Sequence, residues 1–334
     1  MHGGVNKGMK VLLLGATGLL GHNVLLRLVD EGHEVRALVR RSDGIRLPVS
    51  GWHTMVGSVL DYATLCRAAE GCEAVVNCAG TTDMSLPRPE DFMPMNRDLC
   101  EMVVRMMEEK GIRRLVHTST VNTIGYGSAG HPANEDAPMQ PPFEGSYYAD
   151  SKRAGELVVL GAAQHHKDWH VVVINPGFMI GAYDVKPSSG RLLLAGYKRR
   201  LMVAPHGGKA FVAVNDVAQA VVSALTKGDN GARYIVVNSH GCMSVKDFYK
   251  IQSQVMGYHQ TVLTLPNWLL AIAGRVGDIL RVMRLRTELS SLNVRQLMVH
   301  EYYDNICGRE VLGYVETPIE HAIADFHKWR QFNK

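Results

Sequence analysis

The feature that most constrains this chain is a run of three glycines, Gly15, Gly18 and Gly21, directly after the apolar stretch 10–14. The first glycine suits a tight turn after a strand, the second lets the backbone approach a ligand, and the third lets a helix pack closely on a sheet. Amides at the start of such a helix bind phosphate groups. The residues predicted to contact a dinucleotide here are Gly15, Thr17, Gly18, Leu19, Leu20 and Gly21.

Short apolar runs alternate with helical patterns over the first half of the chain, which is typical of parallel βαβ units. Their near-continuous apolar character suits strands that are buried on both faces. The predicted strands occupy residues 10–15, 34–39, 53–56, 74–78, 114–118, 170–175 and 234–238. The sequence therefore predicts an α/β fold, a Rossmann doubly wound parallel sheet with a smaller, mostly helical C-terminal substrate domain.

Glycines and prolines after Asn175 interrupt the alternating pattern, and a helix and a strand return within 212–238. We therefore expect two discontinuous domains. Residues 9–175 and 211–240 would form the NAD(P)-binding domain, and residues 176–210 and 241–334 the substrate-binding domain. For the apolar segment 266–299, which charged residues interrupt, we expect helices that pack on protein, with a membrane-surface helix as the alternative.

Composition argues against several classes of protein. The 334 residues are 46% hydrophobic and 20% charged, and a net charge of +4 is too small to indicate nucleic-acid binding. We find no signal-peptide pattern and no apolar run long enough for a transmembrane span, so we expect a cytoplasmic protein. The six cysteines contain no Cys-x-x-Cys pair, and the histidines form no metal motif, so we expect free thiols and no metal. The expected partner is a small-molecule substrate, with a homodimer left open.

The second predicted strand ends at Val39, and Arg40 and Arg41 follow it. An acidic residue at this place would hold the ribose 2′-hydroxyl of NAD, whereas an arginine can bind the 2′-phosphate of NADP. Arg40 therefore favours NADP(H) over NAD(H), and a solvated arginine is the alternative.

Tyr148 and Lys152 lie four residues apart, which places them on the same face of a helix. A tyrosine titrates near ~10 in water. An ammonium group beside it stabilises the phenolate and lowers this pKa. We predict that Tyr148 exchanges a proton with an alcohol or a carbonyl, and that Lys152 tunes Tyr148 and holds the nicotinamide ribose. A simple pair on a helix surface is the alternative.

Ser119 and Thr120 follow the predicted strand 114–118 and should lie at the carboxyl edge of the sheet. A hydroxyl there can orient a substrate carbonyl and stabilise negative charge as hydride arrives. Spacing alone leaves both residues open, and a purely structural hydroxyl is the alternative.

Taken together, these motifs resemble the extended short-chain dehydrogenase/reductase superfamily, that is, the NAD-dependent epimerase/dehydratase family. The matching runs are the glycine turn, residues 77–80, the pair 119–120, Tyr148 with Lys152, and residues 175–177 and 211–218. The resemblance is greatest to the dihydroflavonol-4-reductase-like and 3β-hydroxysteroid-dehydrogenase-like branch, on residues 37–42, 207–211 and 265–270.

The resemblance implies that Thr120 is the catalytic hydroxyl beside Tyr148 and Lys152, and that Asn96 has a supporting role. The sequence also departs from the family's pattern, because Ser58 stands where an aspartate usually contacts adenine. The further cofactor contacts that it implies are Ser58, Val59, Cys78, Ala79, Gly80, Thr118, Pro176, Gly177 and Phe178.

The resemblance also implies a function, namely hydride transfer between nicotinamide and a secondary alcohol or ketone of a fairly apolar small molecule. Two alternatives stay open. One is a nucleotide-sugar epimerase or dehydratase with bound NAD. The segment 174–178 argues against this alternative, because it carries no arginine. The other is a non-catalytic NADP(H)-binding redox sensor, which would not need Tyr148, Lys152 and Thr120 together.

Overall fold

A computed structural model describes residues 8–41, 50–185, 187–283, 285 and 287–332. Its largest element is a parallel sheet of seven strands. These are β1 (Lys10–Leu14), β2 (Glu34–Val39), β3 (Trp52–Val56), β4 (Ala74–Asn77), β5 (Arg114–Thr118), β6 (His170–Pro176) and β10 (Ala232–Val236). They are arranged in the order β10-β6-β5-β4-β1-β2-β3, with every neighbouring pair parallel. The predicted Rossmann sheet is confirmed.

Helices cover both faces of this sheet. On one face lie α1 (Leu19–Asp30) and α6 (Val214–Ser223), and on the other lie α2 (Tyr62–Ala68), α3 (Leu99–Lys110) and α4 (Tyr147–His165). The sequence of β1 is apolar throughout because helices cover both of its faces. Val11 and Leu13 pack towards α1, while Leu12 and Leu14 pack towards α3. Each such fully buried side chain contributes about 1.5–3 kcal/mol of hydrophobic stabilisation.

The strand order reverses at β1, which has β2 on one side and β4 on the other. The chain leaves β1 and β4 in opposite directions, so a crevice opens beyond their carboxyl ends. The glycine turn predicted at Gly15–Gly21 lies directly after β1, at this crevice. The topology thus places the predicted phosphate site where open α/β sheets bind their ligands.

The remaining strands form two small sheets outside the central one. Strands β7 (Phe178–Ile180), β9 (Gly208–Ala213) and β11 (Cys242–Ser244) form the first, and β8 (Leu201–Ala204) and β12 (Thr261–Thr264) form the second. The helices of this part are α5 (Gly190–Gly196), α7 (Val245–Val255), α8 (Asn267–Val282), α9 (Ser291–Arg295), α10 (Ile306–Leu312) and α11 (Ile319–Phe332). We predicted mostly helix here, and the five extra strands have only three to six residues each. The domain boundaries given above stay a prediction.

The described residues contain neither a candidate membrane span nor a candidate metal cluster. None of the helices there combines the length and the apolar character that crossing a membrane requires. The same residues contain no group of three histidine, cysteine or acidic side chains placed to hold a metal ion.

Candidate active site

The glycine turn is compact and leaves the start of α1 without a side-chain cap. Gly15 has a φ of 86°, and the Gly18 amide donates to the Gly15 carbonyl at 3.0 Å. A Cβ at Gly21 would lie 2.1 Å from that carbonyl oxygen, so only glycine allows α1 to begin here. Gly18 is the N-cap residue, and neither it nor an acid in the first turn satisfies the first amides of the helix. These amides are therefore available to phosphate oxygens.

A second segment closes against this turn. A Cβ at Gly15 would lie 2.6 Å from the carbonyl carbon of Cys78, so the loop after β4 packs directly on the turn. Thr17 and Gly18 are exposed at the opening, while Leu19 and Leu20 are buried and offer only their backbone. Uncapped amides beside glycine surfaces fit the pyrophosphate of a dinucleotide.

The residues predicted at the adenosine end lie after β2 and β3, at the same edge of the sheet. Arg40 is exposed directly after β2, and the Gly57 amide donates to the Val39 carbonyl at 2.8 Å, which holds the two strand ends together. Ser58 is exposed and its Oγ accepts from the Leu60 amide at 3.2 Å. Val59 packs on the core below. Ser42, which ends the motif at 37–42, lies outside the described residues.

The residues predicted to be catalytic meet beyond β5. Tyr148 is the second residue of α4, and Lys152 follows one helical turn later. The Thr120 side chain lies near enough to Tyr148 to lower the pKa of the phenol. Lys152 Nζ donates to the Thr118 carbonyl oxygen at 2.7 Å. The structure therefore brings Thr118, Thr120, Tyr148 and Lys152 together at the carboxyl end of one strand.

The pKa of Tyr148 differs from our expectation. Burial raises the pKa of Tyr148 to about 12, and the neighbouring Thr120 side chain offsets only part of this effect. Our prediction that Lys152 lowers the pKa of Tyr148 is wrong for the protein alone, because Lys152 Nζ is directed at the Thr118 carbonyl. At neutral pH the phenol is therefore uncharged, which is the form that can donate a proton.

Spacing alone left both Ser119 and Thr120 open, and the surroundings of the two hydroxyls differ. Thr120 faces Tyr148, and its Oγ1 also accepts from the Asn122 amide at 3.3 Å. Ser119 Oγ makes no hydrogen bond of ordinary geometry in the described structure, but it lies near enough to Glu156 to lower the pKa of that carboxyl. Of the two hydroxyls, Thr120 is therefore the one that neighbours Tyr148.

Lys152 lies in a buried pocket next to the loop after β4. Burial lowers the pKa of Lys152, and the neighbouring Glu156 and two cysteines offset part of this effect. A Cβ at Gly80 would lie 3.7 Å from Nζ, so the glycine leaves room between the loop and the ammonium group. The Cys78 thiol lies 3.5 Å from the Thr118 hydroxyl, and burial raises the pKa of this thiol to about 11.

Asn96 joins the cofactor loop to the catalytic helix. It lies in a π-helical turn, Pro94–Asp98, which leads into α3. Its Oδ1 accepts from the Thr81 amide at 2.8 Å, and its Nδ2 donates to Ser151 Oγ at 2.9 Å. Widened turns of this kind occur often at functional sites. Asn96 thus links the loop after β4 to α4, and its supporting role in the site stays a prediction.

The segment that follows β6 crosses from the central sheet to the first small sheet. Pro176 ends β6, and the Gly177 amide donates to the Val236 carbonyl at 3.1 Å. A Cβ at Gly177 would lie 2.2 Å from the Ala210 carbonyl oxygen, so this crossing requires glycine. Phe178 begins β7 and contacts another aromatic ring edge-on.

Glu156 was not predicted from the sequence. It lies on α4, one helical turn after Lys152. It is fully buried and accepts from Thr123 Oγ1 at 2.8 Å and from Asn175 Nδ2 at 2.9 Å. It also forms ion pairs with Arg153 at 2.5 Å and Arg233 at 3.1 Å. Burial alone would raise the pKa of Glu156, but these partners outweigh it and the pKa is lowered. The four-residue spacing of positions 148, 152 and 156 could have indicated that Glu156 lies on the same face of the helix.

Side chains of the C-terminal part of the chain donate hydrogen bonds to the loop after β4 and to the start of α4. The Met84 carbonyl, in the loop after β4, accepts from Arg281 Nη2 at 2.8 Å and from Asn293 Nδ2 at 3.1 Å. Gln296 Nε2 donates to Ser146 Oγ at 2.9 Å, at the start of α4. Arg281, Asn293 and Gln296 therefore connect the C-terminal part of the chain to the loop after β4 and to the start of α4.

An uncapped phosphate turn and a tyrosine, lysine and threonine group at one sheet edge define a nicotinamide-dependent oxidoreductase. Residues 11–238 match the NAD dependent epimerase/dehydratase family, and the chain belongs to that family.

Three similar proteins illustrate the relationship. "Sterol demethylase protein B" of Methylococcus capsulatus is 28% identical over 326 residues, covering 96% of this chain and 98% of the relative. A "putative dihydroflavonol 4-reductase" of Synechocystis sp. is 30% identical over 332 residues, covering 95% and 93%. The crystal structure of gox2253 superimposes with a TM-score of 0.81 at 25% identity, covering 98% of this chain and 99% of the other.

Proposed function

We propose that this protein transfers hydride reversibly between C4 of nicotinamide and a secondary alcohol or ketone carbon of a fairly apolar small molecule. The observation that carries the proposal is the grouping of Thr120, Tyr148 and Lys152 where β5 ends, with the Lys152 ammonium 2.7 Å from the Thr118 carbonyl oxygen. This group lies at the same edge of the sheet as the glycine turn. In this proposal, a proton donor and a bound nicotinamide act on one carbonyl at this edge.

Each residue has a distinct part in the proposed reaction. Thr120 holds the substrate oxygen by a hydrogen bond, and the neutral Tyr148 donates its proton to that oxygen in the direction of reduction. In the direction of oxidation Tyr148 accepts the proton instead. Lys152 holds the ribose hydroxyls beside the site with the ammonium that now contacts the Thr118 carbonyl. The nicotinamide cofactor, when bound, supplies or accepts the hydride.

The charges around the opening support an apolar substrate over a nucleotide sugar. Lys209 forms a buried ion pair with Glu301, and Arg281 donates to the carbonyls of Met84 and Thr287. The charge of Lys209 is therefore already paired with a carboxylate, whereas a sugar diphosphate needs free cationic donors. The names of the two relatives above, a sterol protein and a dihydroflavonol reductase, support the same substrate class. The family name keeps the epimerase or dehydratase with bound NAD as the second candidate.

We also propose that NADP(H) is preferred to NAD(H). The support is Arg40, which is exposed at the end of β2 where an NAD-selective site has an acid. A charge-assisted hydrogen bond to a 2′-phosphate contributes about 1.5–3 kcal/mol, which corresponds to about a tenfold to a hundredfold preference.

A substrate panel tests both proposals. Absorbance of the reduced cofactor is followed with steroid ketones, dihydroflavonols and small ketones, using NADPH and NADH in parallel, while UDP- and dTDP-sugars are assayed for conversion. We expect NADPH to be consumed with at least one apolar ketone, with a KM at least about tenfold below that of NADH. Conversion of nucleotide sugars alone would contradict the proposed substrate class, and cofactor binding with no turnover would contradict catalysis. A clear preference for NADH would contradict the proposed role of Arg40.

A further inference from the structure

Helix α8 turns its large apolar side chains outward. The exposed fractions are 62% for Trp268, 50% for Ile272, 52% for Val276, 61% for Ile279 and 64% for Met283. Their spacing of three and four residues places all five on one face of the helix. We call these five residues the α8 apolar stripe. Apolar side chains at such spacing normally face a core, so a stripe that faces outward indicates a surface that another apolar phase covers.

The opposite face of α8 is built for close approach to the protein. A Cβ at Gly274 would lie 2.8 Å from the Ser291 Cα, and a Cβ at Gly277 would lie 1.3 Å from the Leu289 carbonyl oxygen. The glycines therefore fix α8 against the segment that leads into α9. Rotation of the helix to bury the α8 apolar stripe would remove this fit, so its outward direction follows from the sequence.

The segment that carries the stripe is basic, with five arginines against two acids in residues 267–299. Of these arginines, Arg281 faces the protein and donates to the Met84 carbonyl. Both acids are engaged within the protein, since Asp278 Oδ1 accepts from the Ser291 amide at 2.9 Å and Glu288 forms an ion pair with Arg191. Arg275 is exposed on α8 itself, next to the stripe in the helical projection. An apolar face with a basic margin complements the headgroups and acyl chains of an anionic bilayer.

We propose that α8 is an interfacial helix that seats this protein on the surface of an anionic lipid bilayer. The 16 residues of α8 lie in the plane of the interface, with the α8 apolar stripe at the boundary between headgroups and acyl chains. Trp268, at the first turn, occupies the headgroup level that indole rings favour.

The proposed surface adjoins the opening of the catalytic site. Arg281 of α8 and Asn293 of α9 both donate to the Met84 carbonyl in the loop after β4. Binding of α8 to a bilayer would therefore bring this loop close to the lipid, where an apolar substrate is concentrated. Lipid binding does not rest on the proposed reaction, because it is measured without turnover.

Vesicle sedimentation with the full-length protein tests the proposal. Vesicles of phosphatidylcholine and phosphatidylglycerol in equal parts are compared with phosphatidylcholine alone, at low and high salt. We expect binding to the anionic vesicles that weakens at high salt, and a loss of about tenfold or more in Ile272→Asp/Ile279→Asp. The matched control Leu157→Asp/Val315→Asp adds the same charge at side chains that are 53% and 68% exposed elsewhere, and should bind at least about threefold better than the α8 pair.

Thermal unfolding of each variant shows whether the fold is retained. If the double variant unfolds early, Val282→Asp replaces it, because this side chain of α8 is 84% exposed. Three results would overturn the proposal: wild-type protein that stays in the supernatant with anionic vesicles at low salt, equal loss in the control, or a dimer that α8 variants dissociate while vesicles bind nothing. The last result would assign the stripe to a second copy of the chain.

Discussion

Tyr148→Phe is expected to lower turnover by about 10²–10⁴-fold while cofactor affinity changes by less than about twofold. Phenylalanine fills the same partly buried space at the start of α4, so packing is preserved and only the transferable proton is removed. Thr120 loses the neighbouring phenol hydroxyl, but its Oγ1 still accepts from the Asn122 amide. The measurement is kcat with the best apolar ketone, together with fluorescence titration of NADPH.

Tyr147→Phe is the matched control for this experiment, because Tyr147 precedes Tyr148 on α4 and is also partly buried. It removes the same atom from a neighbouring side chain and should retain kcat within about threefold. Turnover that survives in Tyr148→Phe, or that falls equally in both variants, would contradict the assignment of the proton donor.

Glu156→Leu is expected to lower the free energy of unfolding by about 3–5 kcal/mol. Leucine leaves the Arg153 and Arg233 guanidinium groups without their carboxylate, and it leaves the buried Asn175 amide without one of its acceptors. The measurement is urea unfolding at neutral pH. Because the pKa of Glu156 is lowered in the folded protein, its contribution is present above the ordinary carboxyl value of 4.5 and is lost as the pH falls through the folded value. The difference between wild type and variant should therefore narrow in acid.

Glu101→Leu provides the comparison for the same chemical change on an exposed helix face. Glu101 lies 3.6 Å from Arg97 with 54% of its side chain exposed, so its loss should change stability by less than about 0.5 kcal/mol. Equal effects of the two substitutions, or a difference that widens in acid, would show that the buried ion-pair network does not stabilise the fold.

The central sheet could be predicted because its strands are buried on both faces. In β1 both alternating sets of side chains are apolar, and the predicted strands end within two residues of the observed ones. The two small sheets were not predicted. Strands such as β7 and β11 have three residues each, and they form only because distant segments pair with them, as Phe178 pairs with Phe211. A period of two cannot be recognised in so short a run.

The candidate site was predictable where spacing along one element decides the geometry. Four-residue spacing placed Lys152 beside Tyr148, and it could also have indicated Glu156. Where the backbone leaves a strand, spacing decides less. It left Ser119 and Thr120 both open, and only the family resemblance favoured Thr120. The raised pKa of Tyr148 was missed because burial depends on the whole fold.

A crystal structure with bound NADP⁺ tests the central claim most directly. We predict that the pyrophosphate contacts the first amides of α1, and that C4 of the nicotinamide lies about 3–4 Å from a substrate carbon whose oxygen meets the Tyr148 hydroxyl. A pyrophosphate bound away from Gly18, or a Tyr148 hydroxyl directed away from the nicotinamide ring, would contradict it.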